Sequence, residues 1–170
     1  MIGALLADGG AIPLAASVRS LKEIREHRVV MQRWDISCGA AALATVLAYG
    51  FSDFVTERDV ATTMLGKTDP IRVRFRGGFS FLDMQRYVEA RGYQAAGFRQ
   101  MGIDDLLHYE SPIVPVLLHG FPHFVVFRGM NDSGHVRLAD PAFGNRTMSR
   151  EAFETVWSDG LALVVTRKPS

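Results

Sequence analysis

The chain has 170 residues, 48% of them hydrophobic and 22% charged, with a net charge of +1 at pH 7. This is the make-up of one ordinary globular domain, long enough to bury about two thirds of its unfolded surface without covalent staples. The near balance of charge gives no electrostatic case for nucleic acid or an anionic membrane as partner. No apolar run reaches the roughly 20 residues of a membrane-spanning helix, so stable membrane insertion is not expected.

Met1 to Ala16 is small and apolar, and Ala15-Ala16 precede Ser17 as at an export-signal cleavage site. The stretch lacks a basic start, and Asp8, Gly9 and Gly10 interrupt it, so a signal remnant and a plain terminal arm both stay open. Residues 17–28 are charged and predict a linker or short helix. Residues 1–28 are therefore read as an N-terminal extension and 29–170 as the domain.

Residues 38–49 (CGAAALATVLAY) predict a helix buried on most faces, since Ala and Leu favour helix and charge is absent; Gly50 stops it. A second helix is expected from Thr56, with Asp59 three residues on. A third starts at Ser80, turns Leu82, Tyr87 and Val88 inward and ends at Gly92; a short fourth covers 102–109. Arg72, Arg74 and Arg76 alternate with Val73 and Phe75, which predicts an exposed strand or loop face rather than a basic strip for an acidic substrate. Phe79 and Phe81 are expected in the core, and Trp34 beside a cleft.

Strand-like runs follow at 113–118, 123–128 and 136–139, with turns at Gly120-Phe121-Pro122 and Asn131-Asp132-Ser133-Gly134. Ser149 caps a helix through Trp157, and 161–166 is a last strand. Helices first and antiparallel strands afterwards indicate an α+β fold.

Cys38 is the only cysteine, so no intramolecular disulfide is possible. A lone cysteine is usually a buried apolar side chain. This one opens a helix, where the partial positive charge of unpaired N–H groups favours the nucleophilic thiolate. Gly39 lets the backbone there come close to a substrate. Gln32, six residues earlier, offers an amide donor for the oxyanion of acyl transfer, beside the Cys38 N–H. His123 opens a strand on the same side as Val125 and Phe127, where an imidazole can face a cleft. Asp140 ends the next strand. If the two strands pair, it stands beside His123 and can hold the imidazole's tautomer; an ordinary Asp-Pro turn is the plainer reading.

The run Gln32-Arg33-Trp34-Asp35-Ile36-Ser37-Cys38-Gly39 before an Ala-rich helix, the motif His123-Phe124-Val125-Val126 and the motif Ala139-Asp140-Pro141 follow in order. They resemble the bacteriocin-processing, or double-glycine, peptidases, which are papain-like cysteine peptidases. The resemblance covers about 29–166. It implies the papain-like fold, with Cys38 as nucleophile, His123 as base, Asp140 as its orienter and Gln32 as oxyanion donor. In that family such domains usually head membrane transporters and cut leader peptides after Gly-Gly. No transporter is expected beside this domain, and on that reading it resembles the free-standing members, some of them encoded with bacterial functional-amyloid secretion systems. Ser20-Leu21-Lys22-Glu23-Ile24-Arg25 and Gly78-Phe79-Ser80-Phe81-Leu82-Asp83-Met84 resemble that subgroup. The implied partner is a peptide or unfolded protein, an exported amyloid subunit or leader peptide. The implied place is the periplasm or the exterior rather than the cytosol.

No cofactor is expected. His119 and His123 have the i, i+4 spacing of a metal pair on a helix, but Gly120 and Pro122 lie between them, so no zinc site is expected. His119 is the second choice as base, and His135 is expected in solvent. The same four residues would serve an amidase or transpeptidase, and a peptide-binding module without turnover is the remaining alternative.

Overall fold

The computed structural model describes residues 18–157 and 159–169. The reading of Met1 to Ala16 lies outside the described residues. A 13-residue helix, α2 (Cys38–Gly50), runs through the middle of the molecule, with every residue from Cys38 to Ala48 buried. Small alanines let neighbours close on it from all sides. Around it stand α3 (Glu57–Leu65), α4 (Pro70–Arg76) and α5 (Phe81–Ala90). Thr56 and Ser80 cap α3 and α5 through bonds from the Asp59 and Asp83 N–H groups, as expected.

The sheet has six antiparallel strands in the order β1-β6-β2-β3-β4-β5: β1 (Tyr93–Phe98), β2 (Ile113–Leu118), β3 (Phe121–Met130), β4 (Val136–Asp140), β5 (Gly144–Met148) and β6 (Ala162–Arg167). Successive residues point to opposite faces. Ile113, Val126, Ala139 and Leu163 join the core with α2, α3 and α5. Their neighbours Val114, Val125, Leu138 and Ala162 join a second core with Ile103 and Leu106 of α6 (Ile103–Leu106) and Phe153 of α7 (Arg150–Val156). The fold is α+β, with the N-terminal helices on one face of the sheet.

Four local expectations change. The strand-like alternation at 72–76 is helix α4: Asp69 caps it through the Ile71 N–H, Pro70 sits in its first turn, and Gly77 ends it at φ 77°. Leu82 is 51% exposed, and Met84 fills the core instead. Phe121 and Pro122 lie in β3, and the chain reverses at His119 (φ 51°) and Gly120 (φ 82°). Two left-handed residues in a row give the tight turn whose twist suits a hairpin. Gly39 is packed against Met84 and Phe124, which a Cβ would strike, so its missing side chain serves close packing of α2 on α5 and β3.

The charged stretch at 17–28 contains the short helix α1 (Leu21–Glu26), closed by reciprocal bonds between Ser20 and Glu23. It is strapped to β5: the Asn145 side-chain amide donates to the carbonyls of His27 (2.8 Å) and Ile24 (3.3 Å). Gly144 (φ 79°) lies directly under the Arg25 carbonyl, and a Cβ there would overlap it. Gly144→Ala should therefore cost more than about 1 kcal/mol, through left-handed strain and loss of the strap. Calorimetry should show a melting temperature lower by several degrees.

Candidate active site

Cys38 is the first residue of α2 and is 4% exposed. Ser37 stands at the N-cap but makes no capping bond, and the first intrahelical bond is Ala41 N–H to Ser37 O, 3.0 Å. The N–H groups of Cys38, Gly39 and Ala40 thus have no acceptor within the helix. The thiol sits at the positive end of a buried helix whose first turn is left open.

β3 and β4 supply the other half. They pair in antiparallel register, Val126 opposite Ala139 and Phe127 opposite Leu138. Continuing that register by one places Asp140 opposite Val125, so His123 is its diagonal neighbour on the same face. The His123 Nε2 lies 2.8 Å from Asp140 Oδ1. The hairpin geometry expected from the sequence is the one observed. The other ring nitrogen, Nδ1, is not engaged by Asp140, and Cys38 lies near enough to the imidazole to help raise its pKa. His119 is exposed on the hairpin turn and takes no part in this line, and His135 is exposed as expected.

Asp140 is 1% exposed and fully engaged. Besides His123, its carboxylate accepts from Arg146 Nη1 (3.0 Å) and from the N–H groups of Ala142 (2.9 Å) and Phe143 (3.2 Å). One carboxylate thus closes its own Asp-Pro turn and also bonds the imidazole. Arg146, which the sequence reading passes over, also lies over the Phe143 ring, its guanidinium carbon 5.1 Å from the centroid.

Charge follows from these contacts. For Asp140, burial opposes ionisation but is outweighed by the His123 hydrogen bond and charge, the Ala142 N–H and Arg146, so its carboxyl titrates below the usual range. For His123, burial opposes the imidazolium, but the hydrogen bonds to Asp140 and Cys38 and the charges of both raise its pKa from 6.5 to about 9. The arrangement favours an imidazolium beside the Asp140 carboxylate.

Gln32 lies in the loop leading to α2. Its main-chain N–H donates to Pro141 O at 2.8 Å, so the loop is tied to the residue after Asp140. Its side-chain Nε2 donates to Trp34 O at 3.2 Å, and its Oε1 is buried with no partner among the described residues. An amide nitrogen carries two hydrogens, so one bond fixes the group while the second N–H stays available. Trp34 is 47% exposed, Phe79 is buried, and Phe81 stacks on Phe124 at 5.2 Å between ring centroids. Among the described residues no three His, Cys, Asp or Glu side chains gather as a metal site.

The geometry carries a prediction about stability. Because the folded pKa of His123 lies above its unfolded value of 6.5, its contribution is complete below about pH 6.5 and is lost as pH rises through about 9. Asp140 acts in the opposite sense, contributing above the ordinary carboxylate range and losing that contribution in acid. Melting temperatures measured across pH should fall between pH 7 and about 9 in the wild type, and His123→Ala should lack that alkaline decline.

Residues 26–170 match the peptidase C39 family. The probable functional amyloid protease FapD of Pseudomonas fluorescens is 40% identical over 151 residues, 88% of this chain and 65% of that protein. The protein of the same name from Pseudomonas aeruginosa is 37% identical over 142 residues, 83% of this chain and 62% of that protein. The chain thus spans just under two thirds of the length of these relatives. Among solved structures, a double glycine motif protease from an AMS/PCAT transporter, in complex with the leader peptide, superposes with TM-score 0.66 at 27% identity, covering 82% of this chain and 91% of that one. The peptidase domain of Streptococcus ComA, a bi-functional ABC transporter involved in a quorum-sensing pathway, gives TM-score 0.66 at 21% identity over 82% and 98%, a likeness of fold alone.

Proposed function

The chain belongs to the peptidase C39 family of cysteine peptidases and has its papain-like fold, and from that premise we propose that it is an endopeptidase whose nucleophile is Cys38. The observation that carries the proposal is the Asp140–His123 pair at 2.8 Å, beside a thiol at the open end of a buried helix that helps raise the imidazole's pKa.

In this reaction the Cys38 thiolate attacks the scissile carbonyl carbon. Negative charge builds on the carbonyl oxygen, and the Cys38 N–H with the free N–H of Gln32 stabilises it. The His123 imidazolium gives its Nδ1 proton to the leaving amine, so the amide bond breaks and a thioester remains on Cys38. Water then attacks the thioester while His123 takes its proton. Collapse releases the carboxylic acid and restores the thiolate. Asp140 keeps Nε2 protonated and the ring in plane throughout.

The substrate in this reading is a peptide or unfolded protein segment in a bacterial export pathway, an amyloid subunit or a leader peptide. The names of the Pseudomonas relatives and of the leader-peptide complex support that class. An exported substrate of this kind suits an enzyme acting in the periplasm or outside the cell.

Cys38→Ala should abolish cleavage of an unfolded polypeptide while leaving the melting temperature nearly unchanged. Iodoacetamide should label the wild-type thiol at pH 7 well above the rate for a free peptide cysteine; labelling no faster than that would refute the reading. Gln32→Ala should lower kcat by about 10²- to 10³-fold, the usual cost of one oxyanion donor, with little change in KM. The kcat/KM profile should fall on the alkaline side near pH 9 as the imidazolium is lost, and Asp140→Asn should move that limb to lower pH.

A further inference from the structure

Glu57 is a carboxylate that the reaction above does not use. It is the first residue of α3, yet it is only 4% exposed, and no Lys, Arg or His pairs with it among the described residues. A carboxylate at the first turn of an exposed helix normally points to water. Burying one without a cation is costly unless hydrogen bonds replace its hydration. Here they come from one short segment: the Arg33 main-chain N–H donates to Glu57 Oε1 at 2.8 Å, and the Ser37 hydroxyl bonds the same oxygen.

The position of these two donors in the chain is what matters. Arg33 directly follows Gln32, and Ser37 directly precedes Cys38. One carboxylate therefore grips both ends of the segment that joins the Gln32 amide to the Cys38 N–H. Inside the segment the Trp34 carbonyl completes the lattice, accepting from Gln32 Nε2 (3.2 Å) and from the Ser37 main-chain N–H (3.2 Å), with the Ser37 hydroxyl 2.8 Å away. Ser37, which could have capped α2, is turned toward Glu57 and Trp34, and the first turn of α2 is left uncapped.

We propose that Glu57 is a positioning residue: by holding Arg33 and Ser37 it fixes the spacing between the two oxyanion donors, Gln32 and the Cys38 N–H. The inference rests on the roles given above to Gln32 and Cys38. It makes Glu57 act on acyl transfer without touching substrate, and it separates Glu57 from the Asp140–His123 pair. An oxyanion hole acts only when a carbonyl is attacked, whereas alkylation of a thiolate needs none. Disturbing the loop should thus slow peptide cleavage and spare alkylation.

The test compares Glu57→Gln and Glu57→Ala with the wild type in two assays: steady-state cleavage of a peptide substrate, and the rate of Cys38 labelling by iodoacetamide at neutral pH. Glu57→Ala should lower kcat by up to about 100-fold, the scale expected when a reacting geometry is displaced by about an ångström, with KM changed little. Glu57→Gln keeps one carbonyl oxygen as acceptor and should fall between alanine and wild type. Labelling should stay within about two-fold in both, as should circular dichroism. In a double-mutant cycle, Glu57→Gln should cost much less once Gln32 is alanine, because its effect runs through that amide.

Unchanged kcat in Glu57→Gln would overturn the proposal. So would equal losses of cleavage and labelling, which would mean general loosening of the site, or losses that simply multiply in the cycle. If Glu57→Ala does not fold, Glu57→Gln and the cycle still decide. A wild-type thiol that labels slowly is a different result, and it would count against Cys38 as nucleophile before Glu57 is considered.

Discussion

The buried carboxylate of Asp140 is the constraint around which the site is built. A carboxylate 1% exposed must find in protein what it loses in water, and it finds an imidazole, a guanidinium and two main-chain N–H groups. Those four partners fix several things at once. The N–H groups of Ala142 and Phe143 close the turn that ends β4. Arg146 brings in β5. His123 is locked with Nε2 toward β4, which leaves Nδ1 as its free nitrogen. An aspartate satisfied by turn donors alone would not need the histidine, and a histidine without the aspartate would have no preferred tautomer.

The other half of the site is held by hydrocarbon. α2 has no charge to anchor it and no capping bond, and its place is set by close packing on the sheet and on α3 and α5. Gly39 is part of that packing, since its bare α-carbon lets α2 settle against Met84 and Phe124. A thiol fixed by packing and an imidazole fixed by polar bonds still have to meet in register. The main-chain bond from Gln32 N–H to Pro141 O joins the loop before α2 to the turn after Asp140, and it does so with atoms that every substitution of Gln32 but proline keeps. The strap of α1 over Gly144 reinforces the same corner, because Gly144 pairs with Asp140 across β4 and β5.

What the sequence revealed and what it hid divide along physical lines. The helix expected at 38–49 was legible, one residue short of its observed end at Gly50, because an uncharged run rich in Ala and Leu leaves little choice. The meeting of His123 with Asp140 was legible because two β-rich runs around a polar turn can scarcely avoid pairing. β1 and β5 were missed for the opposite reason: Tyr93–Phe98 contains Ala-Ala-Gly, and Gly144–Met148 is a short polar edge, so neither has β propensity and both are held by their partners. α4 misled through its alternating arginines; the decisive marks were Asp69-Pro70 before it and Gly77 after it. Leu82 was assigned inward because it is apolar, but the helical stripe runs through Met84, Tyr87 and Val88. Glu57 and Arg146 were invisible, since an acid at a helix start and an arginine on an edge strand are common surface residues until their partners are known.

Those two residues bear on how a cluster of charges survives in a nearly closed site. With Cys38 as thiolate and His123 as imidazolium, the line Cys38, His123, Asp140, Arg146 alternates in sign and sums to zero. Removing the proton from His123 leaves one uncompensated negative charge beside a carboxylate with 1% exposure, while neutralising the thiolate leaves one positive charge. Moving the proton from thiol to imidazole leaves that sum unchanged, so in the proposed reaction it is the Asp140 carboxylate and the open helix end, and not the net charge, that would favour the ion pair. Arg146 thus matters beyond its contact with Asp140. With a third of its side chain in solvent it is the best hydrated member, and it balances the carboxylate without sharing the full cost of burial. Glu57 is bound by hydrogen-bond donors of the loop before α2, with no cation beside it among the described residues, and so stands outside the alternating line. On the proposed reading the site separates two tasks: the line from Asp140 to Cys38 would serve the nucleophile, and the hydrogen-bonded loop would prepare the place where the substrate's own charge appears.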